Sequence, residues 1–318
     1  MRKPDKPSLH TYFIDGGCLL HKVRWIRGKT CEQLLQQYVT YVNSKFGSGV
    51  VVVFDGYGSM PSTKDHEHRQ RQSRLSKVAP AVSLDAMKQM FFDQQQFMAN
   101  NHNKVEFIAR LIVALNSAGL QMHQSSGDAD TDIVAVALHC ASSGSVTVFA
   151  DDTDILCLLL YHTSEPLSDI FFWSEGEKVK TIDKCINIKS LHGKIGYNMC
   201  QQILVLHALG GCDTTSAIFG HGKGTLFMRL GRNDRLRNHV ETLQNAAATH
   251  TEVRQAGLQL LIALYDGKPT DTLDSLRYVA YSRLVSASLD RLQPEKLPPS
   301  EKAGYFHVHY QAVEWKTL

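Results

Sequence analysis

The chain has 318 residues, of which 43% are apolar and 20% charged, with a formal net charge of +3. These values fit a globular protein with a sizeable core, in one large or two smaller domains, and exclude a disordered polyelectrolyte. No apolar run approaches the roughly 18 residues of a membrane span, and the small net charge leaves any nucleic-acid partner to local patches. Seven scattered cysteines, with no C-x-x-C pair, and a polar start (MRKPDKPSLH) read as reduced thiols in an intracellular protein.

In chain order, LHTYFI reads as a short strand ending at Asp15-Gly16-Gly17, followed by a helical pattern over Cys31–Lys45. VVVVF, Val50 to Phe54, is a continuous β-branched run of the kind buried on both faces of a parallel sheet, and it ends at Asp55. Ser62 to Asn103 contains a basic segment, KDHEHRQRQSRLSK, and then AMKQMFFDQQQFMANN, together read as a helical insertion whose second part packs into the core. Helical patterns over Lys104–Ala118 and Asp130–Ala141 precede a third strand, SVTVFA, which runs into Asp151-Asp152, and a fourth, DIFFW. A helix over Tyr197–Leu209 leads to LGGCDTTS and GHGKGT; beyond about Thr225 the chain reads as helical, ending in a loosely packed tail around Pro298-Pro299. The alternation predicts an α/β fold with a mainly parallel central sheet flanked by helices.

Three of these strands end in acids: Asp15, Asp55 and the group Asp151, Asp152 and Asp154. Ligands bind at the carboxyl ends of strands in open parallel sheets, so these acids converge in space. Clustered carboxylates repel, and a bound cation relieves them. Asp128, Asp130 and Asp132 stand at a helix start, where Asp132 reads as a cap, and Asp213 precedes the glycine-rich turn. An all-oxygen set suits Mg²⁺ or Mn²⁺, and its size suggests the two ions used in phosphodiester hydrolysis. HEHR and HVHY lack partners at zinc-ligand spacing.

The ordered motifs FIDGG, VVFDGYG, GDADTDIVAVAL, VFADDTDIL and ALGGCDTTSAIFGHGKGT resemble the flap-endonuclease superfamily of PIN-like nucleases, within it the divergent Asteroid-type proteins, over roughly Tyr12 to Leu230. The resemblance implies a PIN-like nuclease domain over 1–230, with a helical gateway at about 62–103 and a helix–two-turn–helix at about 197–230. A helical extension over 231–318 would pack on it. It implies metal ligation by Asp15, Asp55, Asp128, Asp130, Asp152, Asp154 and Asp213, with Asp151 in the outer shell. Lys64 and Arg71 would steer the scissile phosphate from a basic helix face shared with His68, beside Arg69, Arg74 and Lys77. Gly220, Gly222, Lys223 and Gly224 would grip duplex DNA, with K⁺ at the turn. His21 stands approximately where relatives stack an aromatic ring on a terminal base.

The implied activity is two-metal hydrolysis of branched or 5′-ended DNA by a monomeric, membrane-free protein, nuclear rather than cytoplasmic. The chain departs from the family pattern in its N-terminus and in carrying aspartates, rather than glutamates, at 128 and 130. No sliding-clamp motif is recognised at the C-terminus. Two alternatives stay open: a weakly active or inactive scaffold, and a PIN-type ribonuclease. A haloacid-dehalogenase-type phosphatase fits poorly, because Asp15 is followed by two glycines where a second acid is needed. A Walker A loop fails because Gly224, not Ser or Thr, follows Lys223.

Overall fold

The structure, a computed structural model, describes residues 10–47, 49–56, 78–85, 87–125, 129–163, 167–175, 184–211, 216–230, 233–286 and 293–314. The chain divides into two compact units, Met1–Lys194 and Ile195–Leu318. The Tyr197–Leu209 helix and the glycine turn fall within the second of these units.

In the first unit, β1 (His10–Asp15), β2 (Val50–Phe54), β3 (Gln121–Gln124), β4 (Ser145–Phe149), β5 (Ile170–Ser174) and β6 (Lys184–Asn187) form one six-stranded sheet. Its order is β3-β2-β1-β4-β5-β6. All neighbours pair in parallel except β5 with β6. This is the mainly parallel α/β sheet that the alternating pattern predicts. β3 and β6 escape such a reading because each is four residues of mixed polarity at a sheet edge, without an apolar run.

α1 (Gly16–Lys22) and α2 (Cys31–Phe46) follow β1, and α2 starts at a capping box between Thr30 and Gln33. α3 (Gln94–Met98) and α4 (Asn101–Ser117) lie between β2 and β3. α5 (Ala129–Ala141) and α6 (Thr153–His162) flank β4 in sequence, and α7 (Ile188–Ile195) follows β6. Ile14, Val52, Phe54 and Phe149 from the sheet pack with Leu34, Tyr38, Val42 and Phe46 of α2 and with Phe107, Leu111 and Leu115 of α4. The expected helical insertion is corrected where it is described. Residues 87–92 are not helical; Gly28 and Cys31 donate backbone N–H groups to the carbonyls of Met90 and Lys88. Burial of Met90, Phe97 and Met98 agrees with the core-packing expectation, whereas Met87 and Phe91 are exposed.

In the second unit, α8 (Tyr197–Leu209), α9 (Lys223–Leu230), α10 (Asp234–Gln244), α11 (His250–Leu264), α12 (Leu273–Ser286) and α13 (Glu301–Glu314) pack without a strand among the described residues. Their core joins Leu206 and Leu209 to Leu226, Val240, Leu260, Leu264 and Val308. The tail is therefore not loosely packed: Val308 of α13 is 1% exposed, seated where Gly257 of α11 offers no side chain.

Candidate active site

The sheet register brings the acids to one edge. Asp15 is the last residue of β1, opposite Val53 of β2, two positions before Asp55. On its other side Ile14 pairs with Phe149, so the chain leaves β4 through Ala150 into Asp151 and Asp152. Each acid also organises local backbone. Asp15 caps α1, accepting from the N–H groups of Gly17 at 2.8 Å and Cys18 at 3.0 Å. Asp152 caps α6, accepting from the Asp154 N–H at 2.9 Å. Asp55 accepts from the Ala129 N–H at 3.1 Å, which ties the start of α5, and with it Asp130, to the end of β2.

Electrostatics register this convergence. Burial pushes the Asp15 carboxyl up to about 6; its two amide donors pull it back, and the nearby carboxylates of Asp55 and Asp152 push it further up. Asp15 has no cationic partner among the described residues. The donor chemistry and the uncompensated negative charge suit a hard divalent cation. Among the described residues no three His, Cys, Asp or Glu side chains form a ready-made metal group; Asp128 and Asp213 lie outside those residues.

Asp151 has a different environment. Lys22 Nζ stands 2.5 Å from its Oδ2, and Ser174 donates its hydroxyl to Oδ1 at 2.8 Å. Lys22 also donates to the Glu175 carbonyl at 2.7 Å. Burial opposes the Lys22 charge, yet its bond to Asp151 prevails and its pKa is raised. The Glu175 carboxylate in turn meets Lys45 at 2.5 Å and the Tyr41 hydroxyl at 2.8 Å. Burial pushes the Glu175 carboxyl up, but Lys45 and Tyr41 outweigh it and hold it low. The Lys45 ammonium lies 4.8 Å from the Trp173 ring centre and 5.1 Å from that of Phe149. Lys22, Tyr41, Lys45, Ser174 and Glu175 were not foreseen from sequence. They carry no motif and meet only through the order of the strands.

Asp132 is the fourth residue of α5 rather than its cap, and it pairs with His123 Nε2 at 3.3 Å. His21 is exposed in the last turn of α1. Lys64, His68, Arg69, Arg71, Arg74 and Lys77 lie outside the described residues. In the second unit, a side chain at Gly220, Gly222 or Gly224 would meet nothing within 4 Å, and Gly220 has φ +75°, so the backbone of this turn is openly approachable. Lys223 opens α9 directly from the turn.

No protein-family model matches the chain, and neither does any curated protein sequence. Among solved structures, the chain is similar to the catalytic core of Rad2 in complex with DNA substrate, at 14% identity and TM-score 0.46, over 93% of this chain and 79% of that one. It is similar to human GEN1 in complex with Holliday junction DNA, at 11% identity and TM-score 0.41, over 89% and 75%. It is also similar to flap endonuclease-1 from Methanococcus jannaschii, at 11% identity and TM-score 0.40, over 97% and 93%. These likenesses carry no statement of activity, which has to be argued from the site.

Proposed function

We propose that the chain is a divalent-metal-dependent nuclease that hydrolyses phosphodiester bonds of branched or 5′-ended DNA. The observation that carries this reading is the meeting of Asp15, Asp55 and Asp152 at the carboxyl edge of adjacent parallel strands, where burial and mutual repulsion raise the Asp15 carboxyl to about 6. The order of motifs supports the same reading and adds Asp128 and Asp213 to the set.

In this proposal Asp15, Asp55, Asp128, Asp130, Asp152, Asp154 and Asp213 hold Mg²⁺ or Mn²⁺, which would supply an activated water and stabilise charge on the leaving oxygen. The chain's own part is to aim these acids. The caps on α1 and α6 orient Asp15 and Asp152 through backbone amides, so their direction follows from the helices. The Ala129–Asp55 bond holds the α5 start against the end of β2. Lys22 neutralises Asp151 within the protein, which sets it apart from the proposed ligands.

The test is a cleavage panel of flap, single-stranded, duplex and RNA substrates with Mg²⁺ or Mn²⁺. Metal-dependent cleavage of the branched or 5′-ended DNA, lost in Asp152→Asn and Asp154→Asn, is the expected result. Cleavage of RNA alone would make the chain a ribonuclease. No metal-dependent cleavage of any substrate would make it a scaffold and overturn the proposal.

A further inference from the structure

The end of α8 and Ser216, which leads into the glycine turn, are tied to α13 by one imidazole. His307 of α13 places Nε2 3.0 Å from the Leu209 carbonyl and Nδ1 2.6 Å from Ser216 Oγ. A carbonyl only accepts, so Nε2 carries the proton and Nδ1 is the acceptor for the Ser216 hydroxyl. Burial pushes the His307 pKa down, only partly offset by the Leu209 carbonyl, and this favours the neutral ring with one donor and one acceptor. Leu209 ends α8, and Ser216 is the first described residue beyond the segment that follows it. One ring therefore joins Leu209 to Ser216.

Two glycines close the same junction. Gly211, at φ +91°, lies so close to Ala217 that a Cβ there would stand 2.6 Å from the Ala217 Cα. A Cβ on Gly210 would stand 2.9 Å from Lys223 Cγ and 3.3 Å from Lys223 Cα. The junction that His307 ties thus abuts Lys223, the cation of the turn. The far side of the turn has its own anchor at the end of α11. His221 meets the Tyr265 ring edge-on at 4.6 Å, and Arg229 pairs with Asp266 at 2.6 Å. Val308, buried against Gly257, fixes the height of α13 and hence of His307. Between the two anchors the turn is open, with the side chain of Phe219 54% exposed.

We infer that His307 is a positioning residue for nucleic-acid binding, through which the C-terminal helix sets the backbone of the 218–224 turn and the Lys223 ammonium against a duplex phosphate backbone. This rests on the reading of Gly220, Gly222, Lys223 and Gly224 as a backbone grip. A preorganised turn binds without an ordering cost at the moment of contact. Releasing the ring restores that cost and lets Lys223 move with the loop.

The experiment uses the full chain in EDTA, a fluorescein-labelled blunt duplex, and anisotropy titrations at several salt concentrations. Hydrogen exchange of the amides between Gly210 and Gly224 is followed in parallel. His307→Ala is expected to weaken duplex binding about ten-fold and to speed exchange in that segment about ten-fold, the effect of one lost buried hydrogen-bond partner. Ser216→Ala, which removes one hydroxyl, should act in the same direction, and His307→Gln, which keeps a donor and an acceptor, should restore binding to within about two-fold. Lys223→Ala should also weaken binding and lower the salt slope by about one unit. Lys223→Ala combined with His307→Ala should be no worse than the weaker single variant, because both remove the same contact. Unchanged affinity in Lys223→Ala overturns the grip reading and the inference together. An effect in Lys223→Ala with none in His307→Ala, whatever the exchange rates, overturns the inference alone.

Discussion

Asp15 and Asp151 leave neighbouring strands at the same sheet edge, and the Cys18 thiol, pushed up by its burial, feels both charges. Asp151 is met by a lysine and a serine. Asp15 is met by two backbone amides and by the charges of two other aspartates. The first arrangement is closed, since charge is matched within the protein and continued through Glu175 to Lys45 and its aromatic cage. The second is open, because the amides orient the carboxylate without neutralising it. Neighbouring strand ends thus carry two kinds of acid, Asp151 that holds the fold and Asp15 whose cost is left for a ligand to relieve.

The largest break in this contrast is expected at Lys22. Lys22→Met leaves Asp151, whose side chain is a third exposed, with Ser174 and the Cys18 thiol, and strips the Glu175 carbonyl of its donor. It should destabilise the protein by about 3 kcal/mol in urea denaturation, the low end for breaking a pair that is buried on the lysine side. Asp151→Asn added to it should recover most of that loss, since neither charge then remains. If Lys22→Met is neutral, the closed arrangement contributes nothing and the contrast fails. Next in size is the response to cation. Mn²⁺ at about a hundred times its dissociation constant should stabilise wild type by about 2.7 kcal/mol. Asp15→Asn should lose most of this and Lys22→Met with Asp151→Asn little, read as shifts in Tm. An equal shift in all three proteins would place the cation elsewhere.

A smaller effect is expected at Gly16. The Phe54 ring occupies the space that a Cβ on Gly16 would need. Gly16→Ala should therefore cost about 2 kcal/mol through overpacking and move the α1 cap, so Mn²⁺ affinity should fall with stability. Retention of full affinity would mean that the cap does not aim Asp15.

The sheet was legible because VVVVF, SVTVFA and DIFFW are apolar runs of the kind that strands buried on both faces require, the first two of them ending in acids. The convergence of Asp15, Asp55 and Asp152 followed from parallel pairing alone, without knowledge of strand order. What stayed hidden depends on that order. Ser174 reaches Asp151 because β5 lies beside β4, and Tyr41 and Lys45 reach Glu175 across 134 and 130 residues by packing. No local spacing encodes such contacts. The second unit was less legible for the opposite reason: helices without alternation give no cue to where the chain divides, or that His307 returns to Leu209.

The smallest predicted effect is also the most specific to Asp15. Its folded pKa is about 6, above the 3.8 of an unperturbed aspartate, so the folded state holds this proton more tightly than the unfolded chain does. Above pH 6 the carboxylate is charged in both states and the full cost of burying it is present. As pH falls through 6 the folded protein takes up the proton first, and the cost is relieved until the unfolded chain also protonates near pH 4. Lowering the pH from 7.5 to 5 in EDTA should therefore make Asp15 contribute about 1 kcal/mol of added stability, against the usual trend for acids paired with a cation. Comparison of urea midpoints for wild type and Asp15→Asn at the two pH values isolates it, because every other titrating group is common to both proteins. A difference that stays constant between pH 7.5 and 5 would mean that Asp15 carries no raised pKa, and the open arrangement would lose its electrostatic basis.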